Sequence, residues 1–169
     1  MTLRPIPLNA ERSALLALGD LTAKLGRAKP LPAHLATGER GELEALFYLR
    51  RRGFRVIERR WRSPDHNGDL DLIAWAPESE TSDTLCFIEV KSRSTRDLTP
   101  AASAINDAKR SMLRRMARSF LRTLPRENRA ETLKRFDVVS VYITAGGAEC
   151  ELLQNAFPWR DYDYAGFGV

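Results

Sequence analysis

The sequence holds few of the residues that build disulfide frameworks or zinc sites. Its two cysteines, Cys86 and Cys150, form no CxxC pair, and its two histidines lack the spacing of zinc ligands. It also lacks an apolar run near the roughly 18 residues that crossing a bilayer requires, and a signal-peptide cleavage pattern. These absences predict a cytoplasmic protein with free thiols and no membrane partner.

Charge is distributed unevenly along the chain. The 169 residues have the length of one domain and a net charge of +5. Residues 91–135 carry thirteen basic and four acidic side chains, an excess of nine. A basic segment beside an acidic cluster suggests a polyanion held over a cation-binding site. A solvated basic helix face explains the charge equally well, so charge alone leaves both open.

The chain is predicted to contain an appendage, one domain and a tail. Residues 1–36 form the appendage, with a helix from Asn9 to about Leu25 and a proline-containing linker. The domain spans residues 37–156, and residues 157–169 form the C-terminal tail. No internal repeat or low-complexity segment interrupts this organisation.

Hydrophobic periodicity in the domain predicts the order α-β-β-β-α-β-β. Helical spacing of apolar residues begins after Gly38, and a second, longer helix begins near Pro100 and ends at about Leu124. Alternating or β-branched segments predict strands at residues 54–61, 69–75, 84–91, 136–143 and 148–153. The pattern is typical of an α/β domain.

Acidic residues interrupt the second predicted strand, which is otherwise apolar. Because side chains alternate along a strand, Asp69 and Asp71 are expected on one face, with Leu70 and Leu72 on the other. A polar strand face that meets water is the structural alternative to a functional site.

A second charged pair occurs in the third predicted strand, where Glu89 and Lys91 share a face. If the two strands pair as a hairpin, Asp71, Glu89 and Lys91 converge at one end of the sheet. Two carboxylates there would bind a hard cation such as Mg²⁺, and the lysine would ease their repulsion and orient or deprotonate a water. Glu42, on the preceding helix, can reach the same cation. This constellation indicates metal-assisted phosphodiester hydrolysis.

Arginines recur every four residues along the second predicted helix. They are Arg110, Arg114, Arg118 and Arg122. Such a stripe predicts a track for the phosphate groups of a nucleic acid, extended by Arg93 and Arg96 from the neighbouring strand. A solvated helix face is the alternative.

Five segments together resemble the YraN-like family of small bacterial proteins. In order, they are GELEALFYLRRRGFRVIERRWR, GDLDLIA, FIEVKSR, AINDAKRSMLRRMARSFL and RFDVVSV. The resemblance covers residues 38 to about 153. That family is similar to archaeal Holliday-junction resolvases. The resemblance therefore implies a restriction-endonuclease-like fold, with a mixed central sheet flanked by helices, and a nuclease of the PD-(D/E)xK type.

The resemblance also implies roles for single residues. Asp71 and Glu89 correspond to ligands of Mg²⁺ or Mn²⁺, with the Val90 carbonyl as a third. Glu42 corresponds to a further ligand or a base, and Lys91 to the residue that positions the water.

The resemblance also bears on two further residues and one loop. Lys109 matches a position that is often lysine and is expected at the scissile phosphate, with a solvated helix lysine as the alternative. Asp69 departs from the family, which usually has glutamate there. The loop at residues 76–83 is longer than usual.

We therefore expect a magnesium-dependent nuclease acting on DNA, including branched or structured DNA. RNA stays open as a substrate, because nothing in the sequence reads the 2′-hydroxyl. A non-catalytic nucleic-acid-binding or adaptor module that retains the fold is the alternative function. Cutting both strands of a duplex would favour a homodimer.

Overall fold

A computed structural model of the chain describes residues 33–77, 84–93, 105–126, 129 and 132–160. Its elements are α1 (Ala33–Arg51), β1 (Arg55–Trp61), β2 (Leu70–Trp75), β3 (Thr84–Arg93), α2 (Asp107–Thr123), β4 (Leu133–Thr144) and β5 (Gly147–Phe157). The predicted α/β class and element order are confirmed. The predictions for the helix after Asn9, for most of the loop at residues 76–83, and for Arg96 and Pro100 lie outside the described residues.

The five strands form one mixed sheet in chain order. The β1–β2, β2–β3 and β4–β5 pairs are antiparallel, whereas β3 and β4 are parallel. Parallel neighbours need a crossover between them, and α2 lies in that connection. The predicted pairing of β2 with β3 is confirmed, and it places the two acid-bearing strands side by side.

Both faces of the sheet are buried. On one face, Leu113, Met116 and Phe120 of α2 pack in a cluster with the strands. On the other face, Leu46 and Leu49 of α1 belong to a second cluster. This two-sided burial explains why the central strands are apolar nearly throughout, and why a carboxylate within them stands out.

Aromatic rings close the α2 side of the core. Phe136 stacks on Phe157 with ring centroids 4.5 Å apart, and on Trp159 at 5.2 Å. Arg114, which is only 6% exposed, donates from Nε and Nη2 to the Pro158 carbonyl at 3.2 and 3.1 Å. These contacts hold the chain beyond β5 against α2.

Regular structure or ring packing occurs on both sides of residues 37–156, the range predicted for the domain. Helix α1 begins at Ala33, inside the predicted appendage, and the aromatic stack continues beyond β5. Strands β4 and β5 are also longer than predicted, because their hydrogen-bonded pairing continues beyond their most apolar residues. Pairing partners that are distant in sequence set these limits.

The second helix begins later than predicted. The Asn106 side chain accepts the Lys109 backbone N–H at 2.9 Å, and this N-cap fixes the start at Asp107 rather than near Pro100. Neither helix in the described part of the chain is long and apolar enough to cross a membrane.

A glycine brings α1 close to β3. A Cβ added at Gly41 would lie 1.8 Å from Ser92 Oγ and 3.0 Å from Ser92 Cβ, so a larger residue would require either Ser92 or the helix to shift. This approach positions the next residue, Glu42, beside the ends of β2 and β3.

Candidate metal-binding site

A cavity of about 550 Å³ opens where α1 meets the ends of β2 and β3. Its described lining consists of Thr37, Gly38, Glu42, Asp71, Glu89, Val90 and Ser92. A larger cavity, about 720 Å³, lies between β1 and the C-terminal end of α1. The described lining of that larger cavity contains a single carboxylate, Glu58. The carboxylate cluster of Glu42, Asp71 and Glu89 therefore belongs to the 550 Å³ cavity.

Asp71 lies where β2 leaves its partner strand. The last hydrogen-bonded pair between β2 and β3 joins Leu72 to Ile88, and Asp71 is the next residue beyond it. Its Oδ2 accepts the Val90 backbone N–H at 2.7 Å. The side-chain carboxylate of Asp71 thus takes the place of a backbone acceptor for the Val90 N–H. Asp71 therefore lies where β2 and β3 separate.

The predicted alternation along β2 is wrong around Asp71. Leu70 packs in the cluster on the α2 side, whereas Leu72 packs in the cluster on the α1 side. The two leucines therefore do not share a face, and Asp71 between them lies beyond the last pair of β2 with β3. The cavity lining includes Asp71 but not Asp69, which is half-buried.

Glu89 is the most deeply buried member of the cluster, with its side chain 3% exposed. Its Oε1 lies 2.9 Å from Lys91 Nζ and 3.0 Å from Lys109 Nζ. Its Oε2 is buried and has no hydrogen-bond partner among the described residues. A buried acceptor left without a donor costs about 1–3 kcal/mol, so this oxygen favours a cation as its partner.

Two lysines from different elements thus meet on one carboxylate. Lys91 comes from β3 itself and Lys109 from the first turns of α2. Val90, between Glu89 and Lys91, packs against the opposite cluster. The predicted shared face of Glu89 and Lys91 is therefore confirmed.

Burial and repulsion perturb Asp71. Desolvation first, and then the negative charge of Glu89, raise the pKa of Asp71 to about 7. The Val90 N–H and the charge of Lys109 act in the opposite direction, and the charge of Glu42 raises the pKa further. Carboxylates crowded in this way resist simultaneous ionisation unless a positive charge joins them.

Arg60 neutralises the third carboxylate of the cavity. Its Nε lies 2.5 Å from Glu42 Oε2, its Nη2 3.0 Å from Glu42 Oε1, and its Nη1 3.0 Å from Glu39 Oε1. The hydrogen bond to Glu42 is the main cause that raises the pKa of Arg60. Arg60 also has a φ of 48°, a left-handed conformation that is uncommon outside glycine.

The sequence patterns did not single out Arg60 or Glu39. Glu39 and Glu42 stand three residues apart on a helix, which signals a shared face. Arg59 and Arg60 are consecutive, however, so alternation alone cannot tell which of them faces α1. The pairs Arg59–Leu72 and Trp61–Leu70 decide it by placing Arg60 across from Asp71.

The arginines of α2 do not form one uniform exposed stripe. Arg114 is buried against the chain beyond β5, and the Arg110 guanidinium lies 5.9 Å from the Phe157 ring centre. Arg118 is exposed, with its guanidinium 6.0 Å from the Trp159 ring centre. Arg93 is half-buried at the end of β3. Among the basic residues singled out on α2, Lys109 contacts the carboxylate cluster through Glu89.

The donor set suits a hard cation that keeps part of its water shell. No group of three His, Cys, Asp or Glu side chains in the described ranges is arranged to enclose a metal ion. Asp71, Glu89 and Val90 line the cavity and could supply two carboxylates and a main-chain carbonyl oxygen. Mg²⁺ is commonly held by one or two carboxylates together with water, and the unpartnered Glu89 Oε2 fits that mode.

The site falls within a region shared with known proteins. The chain matches the family described as Uncharacterised protein family UPF0102 over residues 41–141. A UPF0102 protein of Koribacter versatilis is 45% identical over 126 residues, which are 75% of this chain and 82% of that protein. One from Nitratidesulfovibrio vulgaris is 43% identical over 121 residues, 71% and 81% of the two chains. One from Cupriavidus taiwanensis is 37% identical over 137 residues, 81% and 92% of the two chains. The chain therefore belongs to protein family UPF0102.

Proposed function

We propose that this protein is a metal-dependent nuclease that hydrolyses phosphodiester bonds in DNA. The observation that carries the proposal is the Glu89 carboxylate. It is buried beside a second carboxylate at the mouth of an open cavity, and one of its oxygens has no partner among the described residues. The restriction-endonuclease-like arrangement expected from the sequence supports the same assignment.

The carboxylates hold the cation in this proposal. Asp71 is positioned by the Val90 N–H, and Glu89 by two lysines, so neither side chain needs to reorganise to bind. A divalent cation held there supplies Lewis-acid polarisation of the scissile phosphate.

The lysines compensate for the negative charge of the substrate. Lys91 and Lys109 place two ammonium groups on Glu89 Oε1, 31% and 27% exposed, so both are within reach of a ligand in solvent. Each can donate to a non-bridging phosphate oxygen or hold the attacking water. Without these charges, the carboxylates would repel a phosphodiester.

DNA binding is proposed to rest on the exposed cations rather than on the whole arginine stripe. Arg118 is exposed on α2, whereas Arg114 is committed to the Pro158 carbonyl. Contacts from exposed cations to phosphates would make the affinity strongly dependent on salt concentration.

Cleavage assays test the proposal directly. Linear duplex, single-stranded and four-way-junction DNA would be incubated with Mg²⁺ or Mn²⁺ and with wild type or Glu89→Gln. We expect Glu89→Gln to lower the cleavage rate by on the order of a hundredfold or more, because it removes a charged ligand while preserving shape. Glu58→Gln, an exposed change of the same type on β1, is the matched control and should cut normally.

Metal binding separates the two candidate functions. Calorimetry should detect Mg²⁺ or Mn²⁺ binding to wild type and its loss in Asp71→Ala. If wild type binds DNA in a salt-dependent way yet binds no metal and cuts no substrate, the nuclease assignment is wrong. The chain would then act as a nucleic-acid-binding module.

A further inference from the structure

We propose that Arg60 is a displaceable counter-ion of Glu42, which a phosphate group of the nucleic acid draws away from the carboxylate. Nucleic acid and divalent cation would then strengthen each other's binding. This inference rests on the proposed function and adds a coupling between its two ligands.

The guanidinium of Arg60 offers phosphate the same donors that it offers carboxylate. Three of its five N–H groups are directed at Glu42 and Glu39, in the fork geometry that also binds phosphate oxygens. The side chain is 42% exposed, so a nucleic acid can reach it from solvent. A phosphodiester therefore competes with Glu42 for one set of hydrogen bonds.

Releasing Glu42 changes the affinity of the cavity for a cation. Glu42 is 15% exposed and lines the same cavity as Asp71 and Glu89. While Arg60 covers it, its negative charge is neutralised and its two oxygens are occupied. A divalent cation and Arg60 thus compete for this carboxylate, and removing one favours the other.

The charge balance around the cavity also favours coupling between nucleic-acid binding and cation binding. With every carboxyl group ionised, four carboxylates of this group stand against three cations, so one negative charge is left over; they are Glu39, Glu42, Asp71 and Glu89 against Arg60, Lys91 and Lys109. If Arg60 transfers to a phosphate, the carboxylates lose one of their three positive charges. A divalent cation replaces that charge at short range, so both exchanges proceed together more readily than either alone.

The exchange requires movement of a side chain and not of a strand. The pairs Arg59–Leu72 and Trp61–Leu70 hold the backbone on both sides of Arg60. The long aliphatic stem of the arginine can therefore swing its guanidinium from α1 to a ligand while β1 stays in register. Arg59, its neighbour, is exposed and lines the other cavity instead.

The coupling is measured by the affinity for a labelled DNA duplex in EDTA and in Ca²⁺ at constant ionic strength. Ca²⁺ prefers oxygen ligands as Mg²⁺ does, and the recovered duplex is checked to be intact. We expect Ca²⁺ to tighten DNA binding about tenfold in wild type, within the usual range of coupling between sites. Arg60→Gln should reduce this effect to less than about twofold. Arg59→Gln removes the same charge from the adjacent position and should keep the tightening.

Calorimetry on the DNA-free protein supplies an independent readout. Arg60→Gln should bind Ca²⁺ several times more tightly than wild type, because Glu42 no longer has a competing cation. Arg60→Lys keeps the charge but not the fork, so it should show less coupling than wild type. It also carries the test if Arg60→Gln fails to fold, which thermal unfolding would reveal.

Two results would overturn the inference about Arg60 and leave the proposed function intact. One is an Arg60→Gln protein in which Ca²⁺ tightens DNA binding as much as in wild type. The other is weaker Ca²⁺ binding by the DNA-free variant, which would make Arg60 a support for the site. If wild type itself ignores Ca²⁺ and Mg²⁺ with or without DNA, the proposed function fails as well.

Discussion

Replacing Asp71 by asparagine should stabilise the cation-free protein at neutral pH. Burial and the charge of Glu89 raise the pKa of Asp71 from 3.8 to about 7. The folded protein therefore holds a proton on this carboxyl at pH values where the unfolded chain has released it. Stability from this group is fully present below pH 3.8 and falls as the pH rises toward 7.

The size of the effect follows from that pKa difference. Each unit of difference is worth about 1.4 kcal/mol, so a rise from about pH 5 to about pH 7 would cost up to about 2 kcal/mol. Asp71 is half-buried, so water screens part of this cost, and we expect a loss of about 1–2 kcal/mol. An asparagine at this position would carry no charge at either pH.

Urea unfolding in EDTA at both pH values measures this difference. Wild type should lose about 1–2 kcal/mol of unfolding free energy more than Asp71→Asn over the interval. Asp69→Asn, outside the cavity lining, is the control and should behave as wild type. Asp137 also has a raised pKa, but its contribution is common to all three proteins and cancels. Equal pH dependence in wild type and Asp71→Asn would refute the reasoning.

Three further changes test how the fold supports the site. Gly41→Ala should lower the unfolding free energy by about 1–3 kcal/mol, because its Cβ meets Ser92 at 1.8 Å; adding Ser92→Ala should restore part of it, as read from melting temperatures. Asp137→Ala should cost about 3 kcal/mol in urea unfolding, because it removes the buried carboxylate that pairs with half-buried Arg135 and accepts a backbone N–H of β5; an unchanged midpoint would contradict this. Arg114→Ala should cost about 2 kcal/mol, whereas exposed Arg118→Ala should stay within about 0.5 kcal/mol; equal effects would refute the structural role of the buried arginine.

The order of elements could be predicted because each long segment has a clear hydrophobic period. Strands β2 and β3 are apolar enough to require burial on both faces, and α2 has its leucine and methionine at helical spacing. The first and last residues of the helices and strands were harder to predict from the sequence. The start of α2 depends on a cap at Asn106, and the packed end of the domain depends on rings that meet Phe136 from beyond β5.

The candidate site was predictable where strand alternation holds and failed where it breaks. Glu89 and Lys91 lie on one face because β3 stays paired with β4 as far as Arg93 and keeps its alternation. Asp71 lies beyond the last pair of β2 with β3, so the rule that placed Leu70 with Leu72 no longer applied. A local rule cannot foresee the point at which two strands separate.

The sequence by itself determined which chemical groups are present and which segments had to be buried. Carboxylates set into apolar strands, a lysine two residues beyond Glu89 and a basic second helix are all local features of the chain. The tertiary structure alone decided which of these groups meet. It set Lys109 on the same oxygen as Lys91, left the other oxygen of Glu89 without a described partner, and placed Arg60 on Glu42. These contacts join residues from different elements, and only strand register and helix packing fix such distances.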